Sequence, residues 1–183
     1  AIVGGSDLSQ WSEDLISVES AATLDGLFLQ RLHRSGGDLA YRSYDRASDA
    51  WKEFSWQQIA DEIGRWQQAL SQEDLHPGDR VALVLRNCPE WVIFDQASLG
   101  MGLVVVPLYT DDRPDNIDYI LEDAAVKLLL VQDAGRWKKL APVVAGASAL
   151  QRVLVLEAGE EMARLAGDDT RFRSVQSWLP AKG

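Results

Sequence analysis

Cysteine is nearly absent from this 183-residue chain: Cys88 stands alone, so no internal disulfide can form. Only two histidines, His33 and His76, accompany it, which excludes a Cys/His zinc cluster. No apolar run is long. The most apolar stretch, Gly100–Tyr109 (GMGLVVVPLY), has about ten residues where a membrane-spanning helix needs about 20, so no transmembrane helix is expected. The opening AIVGGSDLSQ has neither a basic region nor enough apolar residues for a secretory signal. A lone thiol with no export signal suits a reducing cytoplasm, which is the expected location. The chain begins without Met and reads as processed or excised from something longer.

Positive charge is also scarce. Eighteen Lys and Arg face 28 Asp and Glu, a formal net charge of −10. A surface this acidic repels phosphate backbones and anionic lipid, so no nucleic-acid partner and no electrostatic membrane docking are expected. The motifs of self-contained catalysis are missing too. There is no G-x-G-x-x-G or G-x-x-x-x-G-K-[ST] phosphate loop and no G-x-S-x-G elbow. His33 falls in an amphipathic helical pattern and His76 in a turn, which makes both structural or solvated groups. Cys88 sits between Asn87 and Pro89 at a helix start, where a helix dipole can lower a thiol pKa. With no partner His or second Cys it reads as inert and buried. The acid pairs Asp111-Asp112, Glu122-Asp123, Glu160-Glu161 and Asp168-Asp169 read as solvated charges, because neighbours in an element point different ways. Asp112 is placed to cap a helix whose first turn includes Pro114. No catalytic and no metal-ligating residue is therefore assigned.

What is present is a foldable core: 46% hydrophobic against 25% charged residues, in a length that suits one domain. Residues 1–22 read as an N-terminal extension and 23–183 as one α/β unit. Leu24, Leu27, Phe28 and Leu32 predict a helix over Thr23–Arg34, ended by Gly36-Gly37. Leu39–Tyr44 and Trp51–Phe54 predict a hairpin around DRASDA, with Trp51 and Glu53 on one face and Lys52 and Phe54 on the other. Ser55 and Gln58 form a capping box, with Phe54 and Ile59 as its hydrophobic staple. Trp56, Ile59, Ile63, Trp66 and Leu70 then make one apolar helical stripe. His76-Pro77-Gly78-Asp79 predicts a type II turn. Seven tryptophans offer a flat apolar surface, but Trp56 and Trp66 belong to the stripe and so to core packing; Trp11, Trp137 and Trp178 have no assigned place.

From Arg80 the pattern changes to continuous apolar runs, Val81–Leu85, Leu103–Leu108, Lys127–Val131 and Arg152–Leu156. Such runs are strands buried on both faces. Helical patterns at Pro89–Gly100, Pro114–Ala124 (with Ile117, Ile120 and Leu121) and Arg136–Ala147 separate them. The fold class is therefore α/β: a mainly parallel sheet with flanking helices, plus a β-hairpin. A last short helix is expected at Ser174–Leu179.

Two segments are more specific. PGDRVALVLRNCPEWVIFDQASLGMGLVVVPLY, Pro77 to Tyr109, resembles the opening βαβ unit of AMP-forming acyl-CoA synthetases of the adenylate-forming superfamily. DNIDYILEDAAVKLLLVQD, Asp115 to Asp133, resembles the segment that follows it. Within the first, Asn87 and Glu90 read as an N-x-x-E cap, and Val104–Pro107 as a central strand ending at a proline that cannot donate to the ladder. WKEFSWQQIADEIGRWQQAL resembles the family's strand and first long helix. The hairpin and the Pro-Leu-Tyr ending at Tyr109 resemble the long-chain fatty-acid branch. The likeness runs from about Leu24 to Leu179.

The resemblance implies a large N-terminal domain of the adenylate-forming fold and a two-step reaction. A fatty acid and ATP give acyl-adenylate and pyrophosphate, and coenzyme A then displaces AMP; Mg²⁺ would neutralise the phosphates. In the family the phosphate loop follows the region resembling SVQSWLPAKG, and this sequence stops at Gly183. No family residue for catalysis, nucleotide or metal is therefore carried onto a position here, and the segment alone is expected to be inactive. The turns near Asn87 and Tyr109 are the loops to watch, because open α/β sheets bind at strand carboxyl ends. Alternatives are another adenylate-forming enzyme (an acyl-AMP ligase, an aryl-CoA ligase or a peptide-synthetase adenylation domain) or a non-catalytic α/β interaction module. A sheet cut from a larger domain leaves an edge and an apolar face uncovered, so some dimerisation, as a homodimer, or poor solubility is expected, and the parent enzyme could associate peripherally with membranes.

Overall fold

The computed structural model describes residues 14–144, 147–159 and 170–181. Two sheets organise it. The smaller is an antiparallel hairpin of β1 (Leu39–Asp45) and β2 (Ala50–Ser55). The larger has five strands: β3 (Arg80–Val84), β4 (Val104–Pro107), β5 (Leu128–Asp133), β6 (Arg152–Glu157) and β7 (Phe172–Ser174). They lie in the order β4-β3-β5-β6-β7, and every neighbouring pair is parallel.

The helices fill the connections. α1 (Val18–Ala21) and α2 (Leu24–Ser35) precede the hairpin, and α3 (Trp56–Leu70) follows it. α4 (Pro89–Gly100) joins β3 to β4, α5 (Pro114–Asp123) joins β4 to β5, and α6 (Ala134–Val144) joins β5 to β6. α7 (Val175–Trp178) comes after β7.

Strand periodicity divides the core in two. Ala82, Val84, Leu129, Val131, Val153 and Val155 point to one face, where they meet Ile117 and Leu121 of α5 and Trp137, Leu140 and Val144 of α6. Val81, Leu83, Leu128, Leu130 and Leu154 point to the other, against Ile59, Ile63, Trp66 and Leu70 of α3 and Ile93, Phe94 and Ala97 of α4. Helices on both faces explain the unbroken apolar runs. Each fully buried large side chain adds about 1.5–3 kcal/mol of transfer free energy, so the α3 stripe alone fixes that helix to the sheet.

α3 begins as expected. The Ser55 side chain accepts from the Gln58 amide at 3.2 Å, and Gln58 Oε1 accepts from the Ser55 amide at 2.8 Å. The turn before β3 also forms: Gly78 takes φ 90°, and the Asp79 amide donates to the His76 carbonyl at 2.9 Å.

Several expectations are corrected. Val104–Pro107 is not central: among the described residues β4 pairs only with β3, and Val104 is 47% exposed. Four residues of valine and proline read as interior, yet a sequence pattern does not reveal how many neighbours a strand has. Asn87 is not a cap. Cys88 holds the N-cap position with no side-chain bond, and Pro89 opens the helix, so proline's fixed φ supplies the start. Arg113, not Asp112, is the N-cap of α5; Asp112 Oδ1 instead accepts from the Arg113 amide and the Asn116 side chain, both at 2.8 Å. α6 starts two residues earlier than Arg136, because Asp133 Oδ1 accepts the Arg136 amide at 2.7 Å. Its described part runs to Val144 with Pro142 inside it, and Ala147 is not helical. α2 forms, but its Leu24 and Leu27 are exposed, and only Phe28 packs on the core. β7 was not expected.

Residues 14–22 lie against α2, where Arg31 Nη1 meets Asp14 at 2.5 Å and Arg34 Nη1 donates to the Leu15 carbonyl at 2.8 Å. Trp11 and the pair Asp168-Asp169 fall outside the described residues, as does Glu160-Glu161. No described helix is long and apolar enough to cross a membrane.

Candidate functional site

Because all five strands run the same way, their carboxyl ends share one edge. β3 leaves that edge into α4 on one face, whereas β5 leaves into α6 on the other. Connections that diverge in this way open a crevice between the two strands, the general ligand position of open α/β sheets.

Arg86, Asn87 and Cys88 follow β3 there, Leu108 and Tyr109 follow β4, and Gln132, Asp133 and Glu157 end β5 and β6. A polar chain crosses three strands. Gln132 Oε1 accepts from the Arg86 amide at 3.2 Å, and its Nε2 donates to Glu157 Oε1 at 2.7 Å. The same carboxylate oxygen accepts from Arg86 Nη2 at 2.5 Å. Gln132 is only 7% exposed, while the Arg86 and Glu157 side chains are 65% and 48% exposed. The arrangement therefore presents a solvent-facing cation above a buried amide.

Both loops singled out from the sequence reach this edge, yet they do different things. Asn87 is exposed beside the crevice. Tyr109 is 84% exposed beyond the outer strand, and no hydrogen bond joins the two. Cys88 is half-buried, and burial pushes its thiol up to about 11. A protonated thiol is a poor nucleophile. Sequence reasoning missed Arg86, Gln132 and Glu157. The available signal was a glutamine interrupting the apolar LLLV run of β5 where both strand faces are otherwise buried.

At the opposite edge, a cleft of about 470 Å³ lies between the end of α3, the start of β6 and α7. Its floor is a bonded hub. Glu73 Oε1 accepts from Arg152 Nε at 2.9 Å and from Trp178 Nε1 at 2.8 Å. Arg65 holds the Pro180 carbonyl through Nε and Nη2, at 3.2 and 3.0 Å. Strand amino ends are the structural rather than the reactive end of such sheets, and these bonds tie segments far apart in the chain. Trp178 thereby receives its place, closing the hub, while on the other face Trp137 packs at a tilt against Phe172 with centroids 5.3 Å apart.

Among the described residues no three His, Cys, Asp or Glu side chains converge as a metal would require.

The AMP-binding enzyme family model matches residues 28–178, which include the hairpin, α3 and all five strands of the sheet. The chain belongs to the AMP-binding enzyme family. Long chain acyl-CoA synthetase 1 of Arabidopsis thaliana is 34% identical over 83 residues, 45% of this chain and 12% of that protein. A crotonobetaine/carnitine–CoA ligase of Salmonella paratyphi A is 27% identical over 129 residues, 70% of this chain and 22% of that one. The fold matches the coronafacic acid ligase of Pectobacterium brasiliense with TM-score 0.74 at 16% identity, over 87% of this chain and 30% of the ligase. The chain thus spans less than a third of each of these AMP-binding relatives. The likeness to the ligase structure is one of fold, and this chain's part of it is the parallel sheet between helices with an antiparallel hairpin described above.

Proposed function

We propose that this chain is the N-terminal portion of an AMP-forming fatty-acid–CoA ligase acting on long-chain acids. Residues 1–22 are its extension and 23–183 part of its large domain. The observation that carries the reading is the family match across residues 28–178. Identity to a long chain acyl-CoA synthetase supports the acid class. The whole enzyme would join a fatty-acid carboxylate to the α-phosphorus of ATP with loss of pyrophosphate. The thiol of coenzyme A then displaces AMP from the acyl-adenylate. This segment supplies a wall of the site, its switch-point crevice and the Arg86 cation, while the bond-making groups lie on other parts of the protein. The enzyme would work in the cytoplasm, alone or as a homodimer, with peripheral membrane contact where its acids partition.

A second reading is favoured by the crotonobetaine/carnitine–CoA ligase match, which covers more of the chain: another adenylate-forming enzyme, in which a different acid takes the place of the fatty acid. ATP–pyrophosphate exchange on the full-length protein, beside the 183-residue chain, separates the two. Exchange driven by palmitate or oleate in the full-length protein alone is expected. Exchange only with carnitine, crotonobetaine or aryl acids would replace the long-chain reading, and none with any acid would remove both.

A further inference from the structure

We propose that Gln132 is a positioning residue: it fixes the turn after β3 so that the Arg86 guanidinium is offered to an anionic group entering between β3 and β5. The inference deepens the ligase reading and rests on it for the identity of the anion.

The first observation is the cost of having glutamine there. Leu128 and Leu130, on the same face of β5, are fully buried. A leucine at 132 would continue that face with nothing to satisfy. A buried amide, by contrast, must find partners or lose stability. Gln132 finds one at each end, the Arg86 amide and the Glu157 carboxylate. The Arg86 amide lies just past β3, beyond the reach of the strand ladder, so Gln132 supplies its bond.

The second observation is the contrast between the two attachments of Arg86. Its backbone is held by a buried side chain, but its guanidinium rests on Glu157 in a solvent-exposed pair. Exposed ion pairs contribute little, and a guanidinium exchanges one carboxylate for another oxyanion without losing its hydrogen bonds. The backbone is thus fixed while the cation remains free to leave Glu157. In a chain with net charge −10, a cation held at the ligand-binding edge of the sheet selects an anion, a carboxylate or a phosphate oxygen. The acid, ATP and coenzyme A of the proposed reaction all qualify, so they are tested separately.

The experiment uses the full-length protein, with Gln132→Leu and the double swap Gln132→Glu with Glu157→Gln. The swap keeps an acceptor for the Arg86 amide and reverses the donor and acceptor at the second contact. Two quantities are read: hydrogen exchange at the Arg86 amide, and the Michaelis constants for acid, ATP and coenzyme A. Q132L should lose about tenfold of exchange protection and raise the Michaelis constant of one of the three about tenfold, with kcat held within about twofold. The swap should restore both. A variant that only melts earlier, with all three constants unchanged, or a swap that restores neither quantity, overturns the inference. If the full-length protein activates no acid, the ligase reading falls, and titration with inorganic pyrophosphate decides this one. A shift of the Arg86 amide in the wild type that Q132L abolishes supports it, and no shift in the wild type overturns it.

Discussion

The indole of Trp178 stands edge-on to that of Trp66, their ring centroids 5.6 Å apart, and so binds α7 to α3. Its Nε1 meanwhile donates to Glu73, which makes one side chain both a packing and a polar contact. Trp178→Phe should keep most of the ring contact and forfeit the bond, lowering stability by about 1–2 kcal/mol. Trp178→Ala removes both and should cost about 3 kcal/mol or more. Denaturant midpoints of the two variants measure the difference, and equal losses would show that the Glu73 bond contributes nothing.

The capping box gives a smaller effect. Ser55→Ala removes the acceptor for the Gln58 amide and should destabilise by about 1 kcal/mol. Ser55→Asp keeps an acceptor at the same place and should stay within about 0.5 kcal/mol of the wild type. Thermal unfolding followed by circular dichroism reads both, and a neutral Ser55→Ala would mean the helix start is held by packing alone.

Asp95 on α4 is half-buried, and that desolvation raises its pKa in the folded chain; the Gln96 side chain offsets it in part. A carboxyl raised on folding binds its proton more tightly in the native state, so stability falls as pH rises from the unfolded value of about 4 through the folded one. Asp95→Asn, an uncharged isostere, should therefore melt higher than the wild type at pH 7. The gap should close at acidic pH, where both carry no charge. Paired melting curves across that range test the sign, and a gap that widens on acidification would reverse it.

Cys88 makes a kinetic prediction. A thiol held near 11, rather than at about 8.5 in an unfolded chain, exposes on the order of a hundredfold less thiolate at pH 8. Iodoacetamide should accordingly label the native protein on the order of a hundredfold more slowly than the denatured one. Comparable rates would place the thiol in a more open setting.

Much of the fold was legible because local chemistry and burial agree. The capping box and the Trp56–Leu70 stripe carry their own explanation, and four apolar runs too short for helices became four parallel strands. β7 escaped because Phe-Arg-Ser has one buried residue in three, with no pattern to detect. Val104–Pro107 was placed at the centre of the sheet because a residue pattern records burial and not neighbours. The site was less legible for a related reason. Arg86, Gln132 and Glu157 are 46, 25 and 71 residues apart pairwise, and only the parallel arrangement of β3, β5 and β6 brings their ends together. A glutamine in an apolar strand announces a partner without saying which.

The hairpin stands apart from the five-stranded sheet, and its two faces lead different lives. Tyr41 and Phe54 pack inward, whereas Tyr44 and Trp51 meet each other on the outer face with centroids 5.4 Å apart. Its far end, around Arg46 to Asp49, touches neither core, and Asp45 ties itself locally to Ala47 and Ser48. A two-stranded ribbon of this kind draws its order from its base rather than its tip. The tip is therefore where this protein can change length over evolutionary time, or carry an engineered peptide, without disturbing the five-stranded sheet.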